Sequence, residues 1–277
     1  MKIIRWDELD STDSLFLLKS LCHEAKGTAL TIGGFDGPHR GHLSLFTSVF
    51  QQAHEHALVP GIVTFVRSPG SVKKGPQYPG DVSTLTLRLG KFEELGFRFC
   101  LLIDFSSDFG KMSGGVFFEI LVKTVHMRYL AVGPDFRCGH RLDTGPSEIA
   151  DLARRDGFRF DSIRQVELDG VRISSSAIRK AVQSADFALA ERLLGYPFLL
   201  DITTSHWILS VGGIEAPVED FTQILPPAGR YAADLVSDSG TLEVVMHIAS
   251  RTVSLGLAGK GSFPPLRSLR SVQFRLS

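Results

Sequence analysis

The chain has little sulfur, little tryptophan and no excess of charge. Its 277 residues include 3 cysteines, 4 methionines and 2 tryptophans, and 30 Lys+Arg stand against 30 Asp+Glu. Cys22, Cys100 and Cys138 are scattered without paired spacing. That excludes a disulfide framework and a zinc pattern, and it points to a reducing compartment. The balanced charge excludes a global field that would draw the protein to nucleic acid or to an anionic membrane, so any bound anion needs a local site. No apolar run reaches the ~20 residues of a membrane-spanning helix. The opening MKIIRWDELDSTD turns acidic by its seventh residue, unlike a signal peptide. The chain is therefore expected to be soluble and cytoplasmic.

What is present is glycine and phenylalanine, 27 and 20 residues, laid over an alternating pattern. Compact apolar runs at 29–35 (ALTIGGF), 61–66 (GIVTFV), 97–105 (FRFCLLIDF) and 129–136 (YLAVGPDF) read as buried strands, and 161–168 reads as a fifth. Between and after them lie helical stretches: 41–57, 85–97, 116–127, 147–157, 174–183 and 185–195. In the first, Leu43, Phe46, Phe50, Ala53 and Ala57 are expected to share one apolar face. This rhythm predicts an α/β fold over 1–197, a Rossmann-like parallel sheet with helices on both faces. From 198 to 277 short β-like runs alternate with turn clusters such as GGIEAP, ILPPAGR and SDSG. They predict a small all-β, barrel-like domain.

Two stretches carry chemistry. Residues 31–42, TIGGFDGPHRGH, hold four glycines and two histidines between a strand end and a helix start. The first turn of a helix has unpaired N–H groups and the positive end of its dipole, so an anion is welcome there. Gly33, Gly34 and Gly37 allow a ligand close to the backbone. His39 and His42, three apart, can point the same way. The second stretch, ISSSAIR at 173–179, puts Ser174, Ser175 and Ser176 at the mouth of a helix with Arg179 in its first turns. An N-cap needs one hydroxyl. Three hydroxyls and a guanidinium make a polyphosphate clamp.

GGFDGPHRGH, VGPDFRCG, ISSSAIR and AERLLGYP, in this order, resemble the adenylyltransferase module of the bacterial riboflavin kinase/FAD synthetase family. That module is one of the H-x-G-H nucleotidyltransferases, and the likeness spans roughly residues 20–197. It implies transfer of AMP from ATP to FMN, giving FAD and pyrophosphate, with Mg²⁺ held mainly by ATP oxygens and by no named protein ligand. It further implies catalytic roles for His39, His42 and Arg179. Gly33, Gly34, Phe35, Asp36, Gly41, Ser174, Ser175 and Ser176 would bind ATP, and Thr64, Phe65, Gly133, Asp135 and Phe136 the flavin. No carboxylate or cysteine pair stands near these motifs for acid–base work. None is needed: a phosphate monoester with a second pKa of about 6 is already anionic at neutral pH.

The chain departs from the family in two places. TFVRSP puts Arg67 and Ser68 where proline and histidine are expected in a region tied to flavin binding. No glycine-phenylalanine-proline-threonine motif occurs in 198–277, so riboflavin kinase activity is expected to be absent and the β tail to be a shortened relic of the kinase barrel. Two other readings stay open: nucleotidyl transfer to a different phosphorylated acceptor, and a protein that binds flavin or nucleotide without turnover. His54, His56, Arg154, Arg155 and Arg159 read as solvated surface, Cys100 as core, and Cys138 as a thiol beside the proposed pocket.

Overall fold

The computed structural model describes residues 1–67, 77–105, 109–164, 166–168 and 170–276. Six parallel strands form the first sheet: β1 (Lys2–Arg5), β2 (Thr28–Ile32), β3 (Val59–Phe65), β4 (Phe99–Ile103), β5 (Met127–Val132) and β6 (Arg159–Ser162). Their order is β1-β4-β3-β2-β5-β6. Every residue of β2 and β4 is buried, as continuous apolar runs covered on both faces must be. Helices α1 (Thr12–Leu21), α4 (Gly114–Lys123) and α5 (Pro146–Asp156) pack on one face, and α2 (Arg40–His56) and α3 (Leu85–Leu95) on the other.

Chain order reverses at β2: β3 and β4 follow to one side of it, β5 and β6 to the other. At such a switch point the loops leaving the two central strands diverge and open a crevice at their carboxyl ends. Those loops are GGFDG and VGPDF. Topology alone thus sets two of the four motifs side by side.

A two-stranded ribbon, β7 (Glu167–Leu168) with β8 (Val171–Arg172), leads into α6 (Ser175–Gln183) and α7 (Phe187–Leu194). Seven antiparallel strands follow: β9 (Leu199–Asp201), β10 (Ile208–Ser210), β11 (Gly213–Pro217), β12 (Gly229–Ser237), β13 (Gly240–Ile248), β14 (Thr252–Leu257) and β15 (Leu269–Phe274). Their order is β10-β11-β14-β13-β12-β15-β9. The apolar core beneath this sheet also contains Ile178, Val182, Ala190 and Leu193 of α6 and α7, so it runs across position 197.

Several local expectations change. The buried face of α2 is Leu45, Phe46, Val49 and Ala53; Leu43 is exposed and Ala57 is the left-handed C-cap. Leu45, Val49 and Ala53, spaced i, i+4 and i+8 with Phe46 beside them, make the stripe that is buried. GGIEAP is largely strand β11, because its alternation Ile214–Ala216 faces the core while Pro217 stands at the strand end. Sequence analysis assigns no element before residue 29; the structure adds β1, a four-residue edge strand, and α1, which buries only Ser14 and Leu18. Strands β2 and β5 stop at Ile32 and Val132, leaving the glycines beyond them to the loops. Ser68 and Pro69 of TFVRSP lie outside the described residues.

Gln223 stitches the second sheet to the first unit. Buried at 4% exposure, it donates from Nε2 to the carbonyls of Val82 (2.8 Å) and Leu199 (2.9 Å) and accepts from the Asp201 amide (2.6 Å). Backbone bonds Asp81 N–H to Thr222 and Ile224 N–H to Asp81 flank it. Gln223→Ala strands three buried partners, each worth about 1–3 kcal/mol when left unpaired. Urea unfolding is expected to show a loss of about 3 kcal/mol; a loss under about 0.5 kcal/mol would mean water replaces the amide at no cost.

Candidate active site

The loops after β2 and β5, the start of α2 and the start of α6 enclose a cavity of about 370 Å³. Gly33, Gly34, Phe35, Gly41, His39 and His42 line one wall, Gly133, Asp135 and Phe136 another, and Ser174, Ser175 and Ser176 a third. Motifs more than 130 residues apart in sequence therefore meet. Gly41 makes the contact possible: a Cβ there would lie 3.0 Å from both the Ile173 carbonyl oxygen and His39 Nδ1.

The two imidazoles stack, with ring centroids 3.7 Å apart and planes 14° from parallel. The His42 amide donates to the His39 carbonyl at 2.8 Å. In return His42 Nδ1 accepts from the His39 amide at 3.4 Å, so neutral His42 carries its proton on Nε2. His39 is 4% exposed, and its Nδ1 is buried with no partner. Burial brings the His39 pKa down to about 4, and burial with the neighbouring imidazole holds His42 well below the ordinary range. Both rings are neutral at pH 7. Phe35 closes the loop from beneath. Its φ of 45° is unusual for a bulky residue, and edge-on contacts with His42, Phe46 and Phe92 hold it there.

Two sequence-predicted ligands stand behind the cavity instead of in it. The Asp36 carboxylate, 6% exposed, accepts the amides of Val82 (2.8 Å) and Ser83 (3.0 Å) and pairs with Arg179. Burial pushes its pKa up, and the Arg179 charge opposes the shift. Arg179 also donates from Nε to the Gly80 carbonyl at 2.7 Å and contacts the Tyr78 hydroxyl. A short carboxylate in a closed loop met a long arginine from a neighbouring helix, and the pair turned inward. The arginines lining the cavity among the described residues are Arg164 and Arg172. Arg172 pairs with Asp135 across 3.0 Å at the rim. It lies two residues before the serines, in VRISSS, and that proximity was the one signal that could have picked it out.

The three serines divide the work. Ser174 caps α6 by accepting the Ala177 amide (3.2 Å), and Ser175 donates to the Asp36 carbonyl (2.8 Å). Ser176 is exposed and lines the cavity. A further hydroxyl, Ser44 on α2, lines the cavity with its oxygen buried and unpartnered. Sequence analysis missed it because a lone serine in a helix carries no pattern.

A second cavity, about 340 Å³, adjoins the first and shares Ile32, Gly33, Gly34, Asp135 and Phe136 with it. Its other walls are mainly aromatic and aliphatic, with Phe65, Phe105, Phe109, Phe117, Met112 and Leu142, and Arg137 adds a charged side chain. Phe65 and Phe105 stack at 4.6 Å. Thr64, expected at the flavin, is fully buried and donates to the Gly34 carbonyl at 3.3 Å, because strand alternation turns it away from the side Phe65 faces. Cys138 also lines this cavity, and burial with nearby Asp143 pushes its thiol up to about 12, so it is no thiolate at neutral pH. Among the described residues no cluster of three His, Cys, Asp or Glu side chains could hold a metal ion, and no helix is long and apolar enough to cross a membrane.

The histidines set an acid limit on the fold. Between the His39 pKa of about 4 and its ordinary 6.5, the unfolded chain binds a proton that the folded protein refuses. Stability is thus complete above pH 6.5 and falls as pH drops toward 4, by about 1.4 kcal/mol per pH unit and about 3 kcal/mol in all for this residue. Urea unfolding at pH 7, 5.5 and 4 is expected to show this slope, reduced in His39→Gln; equal slopes for variant and wild type would contradict it.

Comparison with known proteins bears on this geometry. A family model described as FAD synthetase matches residues 21–177. A protein of Haemophilus influenzae named "Bifunctional riboflavin kinase/FMN adenylyltransferase" is 29% identical over 248 residues, covering 88% of this chain and 77% of its own. The Escherichia coli K12 protein of the same name is 30% identical over 237 residues, covering 84% and 76%. A Streptococcus pneumoniae crystal structure named "Macrolide-efflux Protein" superposes with a TM-score of 0.72 at 21% identity over 90% of this chain and 84% of that one, a likeness of fold. With a polar cavity at the switch point of its sheet and a family match over more than half its length, the chain belongs to the FAD synthetase family.

Proposed function

We propose that the protein transfers AMP from ATP to FMN, forming FAD and pyrophosphate, and that it does not phosphorylate riboflavin. The observation that carries the acceptor is the pair of adjoining cavities. One is built for polyphosphate and the other, walled by phenylalanines, for a planar ring system. Their shared wall, Gly33–Gly34 opposite Asp135–Phe136, is where an FMN phosphate would meet the α-phosphorus of ATP. The "FMN adenylyltransferase" in the relatives' names agrees.

In this reading an FMN phosphate oxygen forms a bond to the α-phosphorus as the bond to the bridging oxygen breaks, and pyrophosphate leaves with the electron pair. Since the nucleophile is already anionic, the obstacle is charge, and fixed donors remove it. His42 Nε2–H and the first-turn amides of α2 face the phosphates. Ser176 and Arg172, released from Asp135, hold the outer ones. Mg²⁺ would be bound through phosphate oxygens with Asp135 as the nearby carboxylate, and it would supply further charge neutralisation. The absence of kinase activity rests on residues 198–277, which contain no Gly-Phe-Pro-Thr sequence.

Incubating the purified protein with ATP and Mg²⁺ is expected to convert FMN to FAD and to leave riboflavin unchanged, as read by chromatography. FMN appearing from riboflavin would refute the kinase claim, and no FAD from FMN would refute the transferase. His42→Ala and Arg172→Ala are each expected to cut kcat by about 10²–10³, the usual cost of one well-placed donor. Arg179→Ala is expected to act first on melting temperature, because its partners are internal.

A further inference from the structure

Among the described residues Arg88 is the largest side chain sealed inside the protein, at 1% exposure. It lies on the inner face of α3 beside Phe92, a place where leucine would fill the space without a charge. Burial pulls its pKa down from the usual arginine value, while the nearby charges of Asp36 and Asp81 oppose the shift. A guanidinium costs much to desolvate. What it touches explains its presence. Nη1 donates to the Gly34 carbonyl at 2.8 Å, and Nη2 to the carbonyls of Phe65 (3.2 Å) and Val66 (3.1 Å).

Those three carbonyls belong to the chain leaving β2 and β3. Gly34 forms the wall common to both cavities, and Phe65 is the aromatic face of the apolar one. The intervening peptide is fixed from its other side as well, since the Val66 amide donates to the Ile103 carbonyl at 2.9 Å. A trans peptide is planar, with its N–H opposite its C=O. Drawing the Gly34 carbonyl toward Arg88 therefore turns the Phe35 amide away from Arg88. One planar, rigid fork thus sets the position of the nucleotide loop relative to the aromatic wall.

We propose that Arg88 is a positioning residue for the transfer: it fixes the spacing of the two substrate cavities and so the alignment of the FMN phosphate with the α-phosphorus. The proposal rests on the AMP-transfer reading above. Its signature is a loss in turnover without a matching loss in binding, because each cavity survives while their relative placement slackens. A misplacement near 1 Å can cost about 10² in rate.

The test compares wild type, Arg88→Gln and Arg88→Lys, with folded fraction followed by circular dichroism. For each, kcat is measured with both substrates saturating, and Kd is measured for ATP alone and for FMN alone. Arg88→Gln is expected to lower kcat about 10²-fold and Arg88→Lys, which keeps the charge but loses the fork, about tenfold, with both Kd values within about threefold of wild type. A kcat within twofold of wild type in either folded variant overturns the proposal. So does a kcat loss no larger than the loss of folded protein, which would mark a structural role. Wild type that makes no FAD would instead sink the functional reading itself.

Discussion

The Asp36–Arg179 pair is the constraint on which the site depends. A carboxylate buried in the loop after β2 accepts two amides from the 82–83 segment and pairs with an arginine from α6. Three stretches of chain that share no sheet or helix are thereby locked together. Ser175 adds a bond from α6 to the Asp36 carbonyl, and Ser83 Oγ accepts the Gly37 amide at 2.8 Å. Removing one partner of such a pair leaves a buried charge uncompensated, which typically costs about 3–5 kcal/mol. The second sheet takes part through Gln223, which holds Val82 from behind. The β unit therefore buttresses the 82–83 segment that holds the loop after β2.

In the proposed reaction the chemistry on this scaffold reduces to electrostatics. Stacked buried imidazoles cannot both be charged while 3.7 Å apart, and burial keeps the pair neutral at pH 7. Under the proposed function an entering triphosphate brings the negative charge that the histidines, Ser176 and Arg172 receive. Arg172 is held near the rim by Asp135, an exposed pair whose mutual attraction is weak.

The sequence made the frame and the motifs legible because both are local. Alternating apolar runs gave the parallel sheet, and glycine-rich loops between strand and helix gave the cavity's two principal walls. Residues whose role depends on where a side chain turns were less visible. Asp36, Arg179 and Thr64 sit inside or beside the correct motifs, yet they point into the protein because tertiary partners offered buried polar groups their only satisfaction. Arg88 left no trace in the pattern, since an arginine within LTLRLGKFEEL reads as the polar face of a helix. Arg172 stood next to a recognised motif and was overshadowed by it. Strand β11 hid within a turn-like GGIEAP because Gly213 and Pro217 are its two end residues.

The central claim is that one phosphate chain lies between the histidine pair and the serine–arginine side while an aromatic ring fills the adjoining chamber. The most direct measurement is a crystal structure with a non-hydrolysable ATP analogue and FMN bound together. The account predicts phosphates within hydrogen-bond distance of both His42 and Ser176 or Arg172, and the flavin ring against Phe65 and Phe105. Phosphates touching only one of the two sides, or a flavin lodged outside the aromatic chamber, would contradict it.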